Sequence, residues 1–534
     1  MRDVDAVVIG AGPNGLVAAN VLADAGWRVL VLEAQAEPGG AVRSGELTHP
    51  GYVHDRFSAF YPLGVASPVM RALELESYGL RWRRAPAVLA HPTADGRCAV
   101  LSTDVDETAA SVRQFAAGDG DAWRAMATEF SRLRGPLLDS MMAPIPPVRG
   151  PVRLATALGP RGLLEFTRRA LLPVRRLAQE QFRGEGAALL LTGNAMHSDV
   201  GPDVPPSGFL GWLLTGLGQE VGFPVPEGGS GELTLALVRR LTARGGEVRC
   251  GARVARIEVR DRRAVAVVLA DGEEIAAPRG VLADVGGPAL YLDLVGAEHL
   301  PAHVLDDLRR FQYDLATFKV DWALSGPIPW RAAGAERAGT VHLGHSMDVI
   351  TAYAADLAQD RIPARPFVLV GQMNQADPTR SPPGTETAWA YSHVPFRVRG
   401  DAGGALRGIW DASEAEAYAD RLEAEVEAFA PGFRARVTGR HLLPPPTLER
   451  LDANLVGGSL GGGTTALHQQ LIFRPIPGLG RAETPVRGLF LASSSAHPGG
   501  GVHGACGANA ARAAIFADRV RRATGRARRA LRRA

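Results

Sequence analysis

Val4-Asp5-Ala6-Val7-Val8-Ile9-Gly10-Ala11-Gly12-Pro13-Asn14-Gly15-Leu16 opens the chain with an apolar run, a turn of spaced glycines and the start of a helix. Apolar Leu16, Ala19, Val21, Leu22 and Ala25 recur at helical spacing, and Gly26 ends the helix. A second apolar run, Arg28 to Leu32, then delivers Glu33. The three glycines serve different ends, since Gly10 allows the tight turn, Gly12 lets backbone approach a pyrophosphate, and Gly15 lets helix pack on strand. The helix start at Pro13 and Asn14 favours an anion. Glu33, placed to accept hydrogen bonds from a ribose, argues against a 2′-phosphate there. Strand, turn, helix, strand and acid together predict an α/β fold that binds a dinucleotide.

Working outward, Glu37-Pro38-Gly39-Gly40-Ala41-Val42-Arg43-Ser44 places a glycine doublet just past the second strand. Far downstream, the chain reads Gly488-Leu489-Phe490-Leu491-Ala492-Ser493-Ser494-Ser495-Ala496-His497-Pro498-Gly499-Gly500-Gly501-Val502-His503-Gly504-Ala505-Cys506-Gly507. With Pro226 to Leu233, Asp377-Pro378 and Phe473-Arg474-Pro475, these stretches resemble the flavin-dependent amine oxidase and phytoene desaturase superfamily, most closely its phytoene-desaturase-like branch. The resemblance implies FAD as cofactor and a Rossmann-type, glutathione-reductase-like FAD-binding domain. A substrate domain of mixed sheet with a helical insert would accompany it. It also implies that Gly10, Gly12, Pro13, Asn14, Gly15, Glu33, Gly39, Gly40 and Ser44 contact the cofactor. Val254 would meet the adenine end through its backbone, and Gly501, Val502 and His503 would lie at the flavin. The side-chain-poor loop from Gly499 to Gly504, at a helix start, suits presentation of N–H groups to a flavin carbonyl where negative charge grows on reduction.

The expected organisation is an FAD-binding domain in three parts, 1–103, 221–290 and 476–517. A helical insert (104–220) and a substrate sheet (291–475) interrupt it, and a basic tail (518–534) follows. Strand candidates for the separate sheet are Thr317 to Leu324, Pro366 to Met373 and Thr387 to His393. The apolar Phe209 to Leu214 stretch either lines a substrate tunnel or packs in the core.

With 534 residues, 46% hydrophobic and 22% charged, the chain has an ordinary globular composition. Eight arginines between Arg519 and Arg533 account for the net charge of +3 and leave a mildly acidic body, which argues against nucleic-acid binding. The tail either lies on an anionic membrane surface or is a solvated terminus. No apolar window is long enough to span a bilayer and no leader pattern opens the chain, so the expected location is cytoplasmic, peripheral at most. Cys98, Cys250 and Cys506 form no CxxC pair.

Lys319, in Phe318-Lys319-Val320-Asp321-Trp322, is the one lysine among 59 basic residues. By resemblance to amine-oxidase-type flavoproteins it would lie near flavin N5 as a deprotonatable amine; the alternative is a survivor of arginine bias with its head in solvent. His503, His393 and His497 are proton-transfer candidates or structural histidines. Arg474 either neutralises reduced flavin or braces a loop. Asn194, His197 and Asp199 fit no common ligand set, and no metal is expected. A second nucleotide-binding unit is missing, since the glycines from Gly457 to Gly463 do not join a strand to a helix; oxygen, a quinone or the substrate itself is left as electron partner. The function expected is FAD-dependent oxidation or reduction of phytoene desaturase type, with hydride transfer between a lipophilic substrate's carbon and flavin N5 in desaturation, saturation or isomerisation. The alternatives are an oxygen-using amine or alcohol oxidase and an FAD-holding interaction protein.

Overall fold

The computed structural model of the chain describes residues 4–531, with side chains as far as Gly525. Strand β1 (Ala6–Ile9), helix α1 (Pro13–Asp24) and strand β2 (Val29–Leu32) form where the apolar runs predict them. They sit inside a five-stranded parallel sheet ordered Leu489–Leu491, Gly280–Ala283, β1, β2, Glu247–Arg249. Both faces of this sheet are covered, Ala6, Val8, Val29 and Val31 packing against helices on one side and Val7, Ile9, Leu30 and Leu32 against Ile257, Val267 and Leu269 on the other, which is why β1 and β2 read as unbroken apolar runs and are buried throughout. A three-stranded antiparallel meander, Val254–Arg260, Arg263–Leu269 and Glu274–Ala276, lies beside it.

A seven-stranded mixed sheet runs Val437–Leu443, Ala316–Leu324, Glu386–Val394, Val368–Gln372, Ala338–Leu343, Ala87–Pro92, Cys98–Leu101. Phe318, Val320 and Trp322 point to one face, where they pack with Tyr418, Leu422 and Val426 of the helix Ala412–Phe429. By strand alternation Lys319 and Asp321 point to the other face, as do Tyr391 and His393 of the paired strand. Six helices from Val105–Arg113 to Ser207–Val221 form a separate layer. Their Trp123, Phe130, Leu133 and Trp212 share a core with α1. Among the described residues no helix is long and apolar enough to cross a membrane.

Two boundaries differ from expectation. Ala87–Pro92 and Cys98–Leu101 belong to the seven-stranded sheet, not with the rest of residues 1–103, because Ala87–Pro92 pairs in parallel with Ala338–Leu343. Alternation identifies a strand but cannot name a partner some 250 residues away. The last helix, Ala505–Leu531, runs unbroken across the boundary expected at 517/518. Within it, buried Asp518 pairs with Arg279, Arg521 and Arg522. The basic side chains from Arg526 onward lie outside the described residues.

Candidate active site

The glycine turn is built as tightly as its spacing predicts. Gly10 adopts φ of +92°, a region that side chains disfavour. A Cβ on Gly15 would stand 2.2 Å from the Gly10 carbonyl oxygen, and one on Gly12 would stand 2.7 Å from Asp284 Oδ2. Pro13 occupies the first helical position, where its missing N–H costs nothing, and Gly12 caps the helix without a side chain. The doublet closes over this turn: the Gly39 N–H donates to the Ala11 carbonyl at 2.8 Å, and a Cβ on Gly40 would stand 3.1 Å from Gly12 Cα. Glu33 is buried, its carboxylate accepting the Ala11 N–H at 2.8 Å and the Gln35 N–H at 2.9 Å. The Gly251 and Ala252 N–H groups donate to the Gln35 and Glu33 carbonyls, which brings the strand starting at Val254 beside the acid. Gly10, Gly12, Pro13, Asn14, Gly15, Glu33, Gly39, Gly40 and the Val254 strand therefore converge at one end of the parallel sheet. Ser44 lies further on, where its Oγ accepts the Gly231 N–H at 2.7 Å and meets Asp55 Oδ1 at 3.2 Å.

Helix Ala505–Leu531 packs on α1 almost backbone to backbone: a Cβ on Gly507 would fall 1.9 Å from the Asn14 carbonyl oxygen. That contact carries the Gly499–Gly504 loop to the glycine turn. His503 is buried; its Nδ1 accepts the Ala505 N–H at 3.0 Å and its carbonyl accepts Ser67 Oγ at 2.7 Å. Burial pushes its imidazole down to about 4, so the ring is neutral at pH 7 and braces the loop. Buried His497 is pushed down to about 4 for the same reason. Arg474 braces too: it donates to the carbonyls of Ser494 (2.7 Å), Gly461 (2.7 Å) and Thr464 (3.0 Å). Its guanidinium also lies against Gly499, whose Cβ would stand 3.2 Å from Cζ. Bracing and a fixed positive charge beside the loop are one arrangement.

Lys319 corrects the sequence reading. It is 4% exposed, so its head is not in solvent, and its Nζ donates to the Asp55 carbonyl at 3.0 Å and pairs with Asp321. Arg380 Nη2 meets Asp55 Oδ2 at 2.6 Å, with both side chains fully buried, and His54 Nδ1 lies 3.7 Å from Asp321. An ammonium fixed between a carboxylate and a carbonyl ties the sheet to the Val53–Asp55 strand.

Asn194, His197 and Asp199 diverge. Asn194 Nδ2 donates to Thr215 Oγ1, Asp199 accepts from the Thr465 N–H at 2.8 Å, and His197 joins a buried group on the sheet face. There His197 lies 3.1 Å from His342 Nε2 and from the Tyr391 hydroxyl. Burial holds His91, His197 and His342 well below the usual imidazole value. Among the described residues no group of three His, Cys, Asp or Glu can hold a metal ion. His393 Nδ1 faces Thr317 Oγ1 at 3.4 Å.

Sequence reasoning missed Asp284. Its Oδ2 accepts the Gly15 N–H at 2.7 Å, inside the turn meant for an anion. The available signal was an acid closing the strand Gly280–Ala283, since ligands of parallel sheets bind beyond the carboxyl ends of strands.

The cradle that Cβ atoms on Gly12, Gly15 and Gly40 would fill, and the acid at the end of β2, fit a dinucleotide. Comparison with known proteins agrees. The family model for flavin containing amine oxidoreductase matches residues 14–313. Pyridine nucleotide-disulfide oxidoreductase domain-containing protein 2 of Rattus norvegicus is 30% identical over 557 residues, which covers 97% of this chain and 94% of the rat protein. Despite that name, Cys98, Cys250 and Cys506 of this chain are all free. Hydroxyneurosporene desaturase of Rhodobacter capsulatus is 28% identical, covering 97% of this chain and 99% of its own. An oxidoreductase of Methanosarcina mazei has the same fold, with a TM-score of 0.61 at 16% identity over 96% of this chain and 99% of that one. The chain belongs to the flavin containing amine oxidoreductase family and is an FAD-dependent oxidoreductase.

Proposed function

We propose that the enzyme works in the desaturase manner, moving hydride between a carbon of a lipophilic substrate and the flavin. FAD when bound supplies the hydride-accepting or hydride-donating ring. In this reading the Gly10–Gly15 turn and Gly39-Gly40 hold the pyrophosphate, Glu33 the ribose, residues near Val254 the adenine, and Gly501 to His503 the pyrimidine edge, with Ser44 nearby. Arg474 holds positive charge beside the loop where the reduced ring gains negative charge.

The observation that carries the substrate class is the similarity over nearly the whole chain to hydroxyneurosporene desaturase of Rhodobacter capsulatus. The Phe209 to Leu214 stretch packs in the core through Trp212 and Leu213, and with Phe166, Arg169, Leu177 and Gln181 its Phe209 and Trp212 line only a water-sized gap in the helical layer. The buried ion pair of Lys319 weighs against the amine-oxidase alternative, which needs that amine free. A quinone suits such an enzyme as electron acceptor better than oxygen, and a membrane surface suits its substrate.

Anaerobic photoreduction of the purified yellow protein, followed by mixing with air or with a soluble quinone, tests this reading. Slow reoxidation by air and fast reoxidation by quinone is expected. Fast reoxidation by air alone would favour the amine or alcohol oxidase, and flavin that never turns over with either would favour an FAD-holding interaction protein.

A further inference from the structure

Asp284 stands where the cofactor's charge has to go. Its carboxylate is buried, one oxygen accepts the Gly15 N–H, and that same oxygen lies 2.7 Å from where a Cβ on Gly12 would be. From α1 it therefore meets an N–H donor, but from β2 it faces the carboxylate of Glu33, and from the segment after helix Pro445–Leu451 that of Asp452. Asn454 Nδ2 donates to the Asp284 backbone carbonyl at 3.2 Å and not to its carboxylate, which is held by the Gly15 N–H. The last helix contributes the Cys506 thiol, which burial pushes up to about 12 and keeps neutral. Arg43 donates to the Gly40 and Leu451 carbonyls and lies 3.6 Å from Glu37; its charge offsets part of that of Asp452 and makes no named contact with Asp284. Three carboxyl groups thus surround a turn that is to receive a pyrophosphate carrying further negative charge.

We propose that Asp284 is a proton-linked cofactor-binding residue: its side chain is a neutral carboxylic acid when the pyrophosphate lies on the glycine turn, so that binding FAD takes one proton from solvent and releasing it returns one. This rests on the placement of the pyrophosphate in the preceding reading. The exchange balances simply, the carboxylate gaining a proton to become an acid. As an acid the group still accepts the Gly15 N–H through its carbonyl oxygen, and its hydroxyl becomes a donor toward the phosphate. Burial already pushes Asp284 up to about 7 before any ligand charge is added, with Asp452 and Glu33 adding to the rise and the Gly15 N–H opposing it.

The test uses the full chain. Flavin fluorescence on dilution of the holoprotein gives the FAD Kd from pH 6 to 9, and calorimetry of FAD added to the stripped protein in two buffers of different ionisation enthalpy counts protons. Affinity should fall by up to about tenfold per pH unit above neutrality, with close to one proton taken up at pH 8. Asp284→Asn should flatten the profile and bind FAD at least about tenfold tighter than wild type at pH 8.5. A wild-type Kd constant from pH 7 to 9, no proton uptake, or an unchanged slope in Asp284→Asn would overturn the proposal; the wild-type measurements decide even if the variant does not fold. Gly15→Ala separates this from the placement itself. If it binds FAD as wild type does, the placement is wrong. If it loses FAD while wild-type binding is flat with pH, the placement stands and the proton linkage falls.

Discussion

Replacing Lys319 with Met removes one partner of a buried ion pair and leaves Asp321, with no exposed surface, with His54 at 3.7 Å and the charge of Arg380, which is itself paired with Asp55. Breaking a buried pair from one side costs about 3–5 kcal/mol, because the charge left behind has lost both water and counter-ion. Asp55 stays held by Arg380 and by the Ser230 N–H at 2.6 Å, so the cost should centre on Asp321. Burial pushes the Asp321 carboxyl up to about 6 even though Lys319 pulls it down. Without the lysine it rises further. A carboxyl with a folded pKa above its unfolded value binds its proton more tightly when folded, so stability is lost as pH rises between the two values and recovered as pH falls. Lys319→Met should therefore show its full deficit at pH 8 and shed much of it at pH 5.5. The double variant Lys319→Met/Asp321→Leu should recover most of the loss at pH 8, since no charge is left stranded. Urea unfolding, read at the first transition at both pH values, measures this, and the reoxidation rate of the flavin in folded protein should stay near wild type. A single variant that unfolds with wild-type urea dependence at pH 8, or a double variant no better than the single, would refute the buried-pair argument. A stable variant with a large fall in reoxidation rate would restore Lys319 to the chemistry.

Substitutions at two further positions probe the loop. Gly507→Val puts a branched side chain where even a Cβ would be 1.9 Å from the Asn14 carbonyl, so helix Ala505–Leu531 must separate from α1. Overpacking of this kind costs about 1–3 kcal/mol or more, and the variant should purify with little bound flavin, read from its visible absorbance. His503 is neutral near pH 7 and serves as acceptor for the Ala505 N–H. His503→Asn should keep bound flavin and anaerobic flavin-reduction rate, whereas His503→Ala should lose about 1 kcal/mol of stability by thermal unfolding; a large rate loss in the Asn variant alone would make the ring a proton carrier.

What could be read in the sequence was local. The unit from β1 to Glu33 signals itself because each part fixes its neighbour within a few residues, and the glycine doublet lies directly over the turn it follows. The loop from Gly499 to Gly504 was legible from its composition, because Gly499 lies against Arg474 and Gly504 against Val17 of α1, where a Cβ would stand 3.2 Å and 2.9 Å from its neighbour. Pairings across long separations were not. Asp284 lies 269 residues from Gly15, and nothing in the local pattern around Gly280–Ala283 says that its acid enters the glycine turn. The Ala87–Leu101 hairpin alternates as a hairpin should, yet its sheet is decided by Ala338–Leu343.

Lys319 combines a local signal with a long-range cause. Its isolation in an arginine-rich chain was visible, but the reason lies in four segments that meet only on folding: Val53–Asp55, Ala316–Leu324, Arg380 and Ser230. Arg380 takes the Asp55 carboxylate and, through Nε, the Val53 carbonyl at 3.1 Å, a use that suits a planar, forked cation. The remaining donor must reach a carbonyl and a carboxylate two residues along its own strand, from within a buried layer. A compact ammonium does this with freely rotating N–H groups, whereas a guanidinium at position 319 would need more volume and a flat approach that the packed sheet face does not offer. The lysine is thus accounted for by packing geometry around the Asp55–Asp321 pair of acids. Lys319→Arg is accordingly not a conservative change, and in the same urea series it should fall below wild type at both pH values, because its defect is steric and does not titrate.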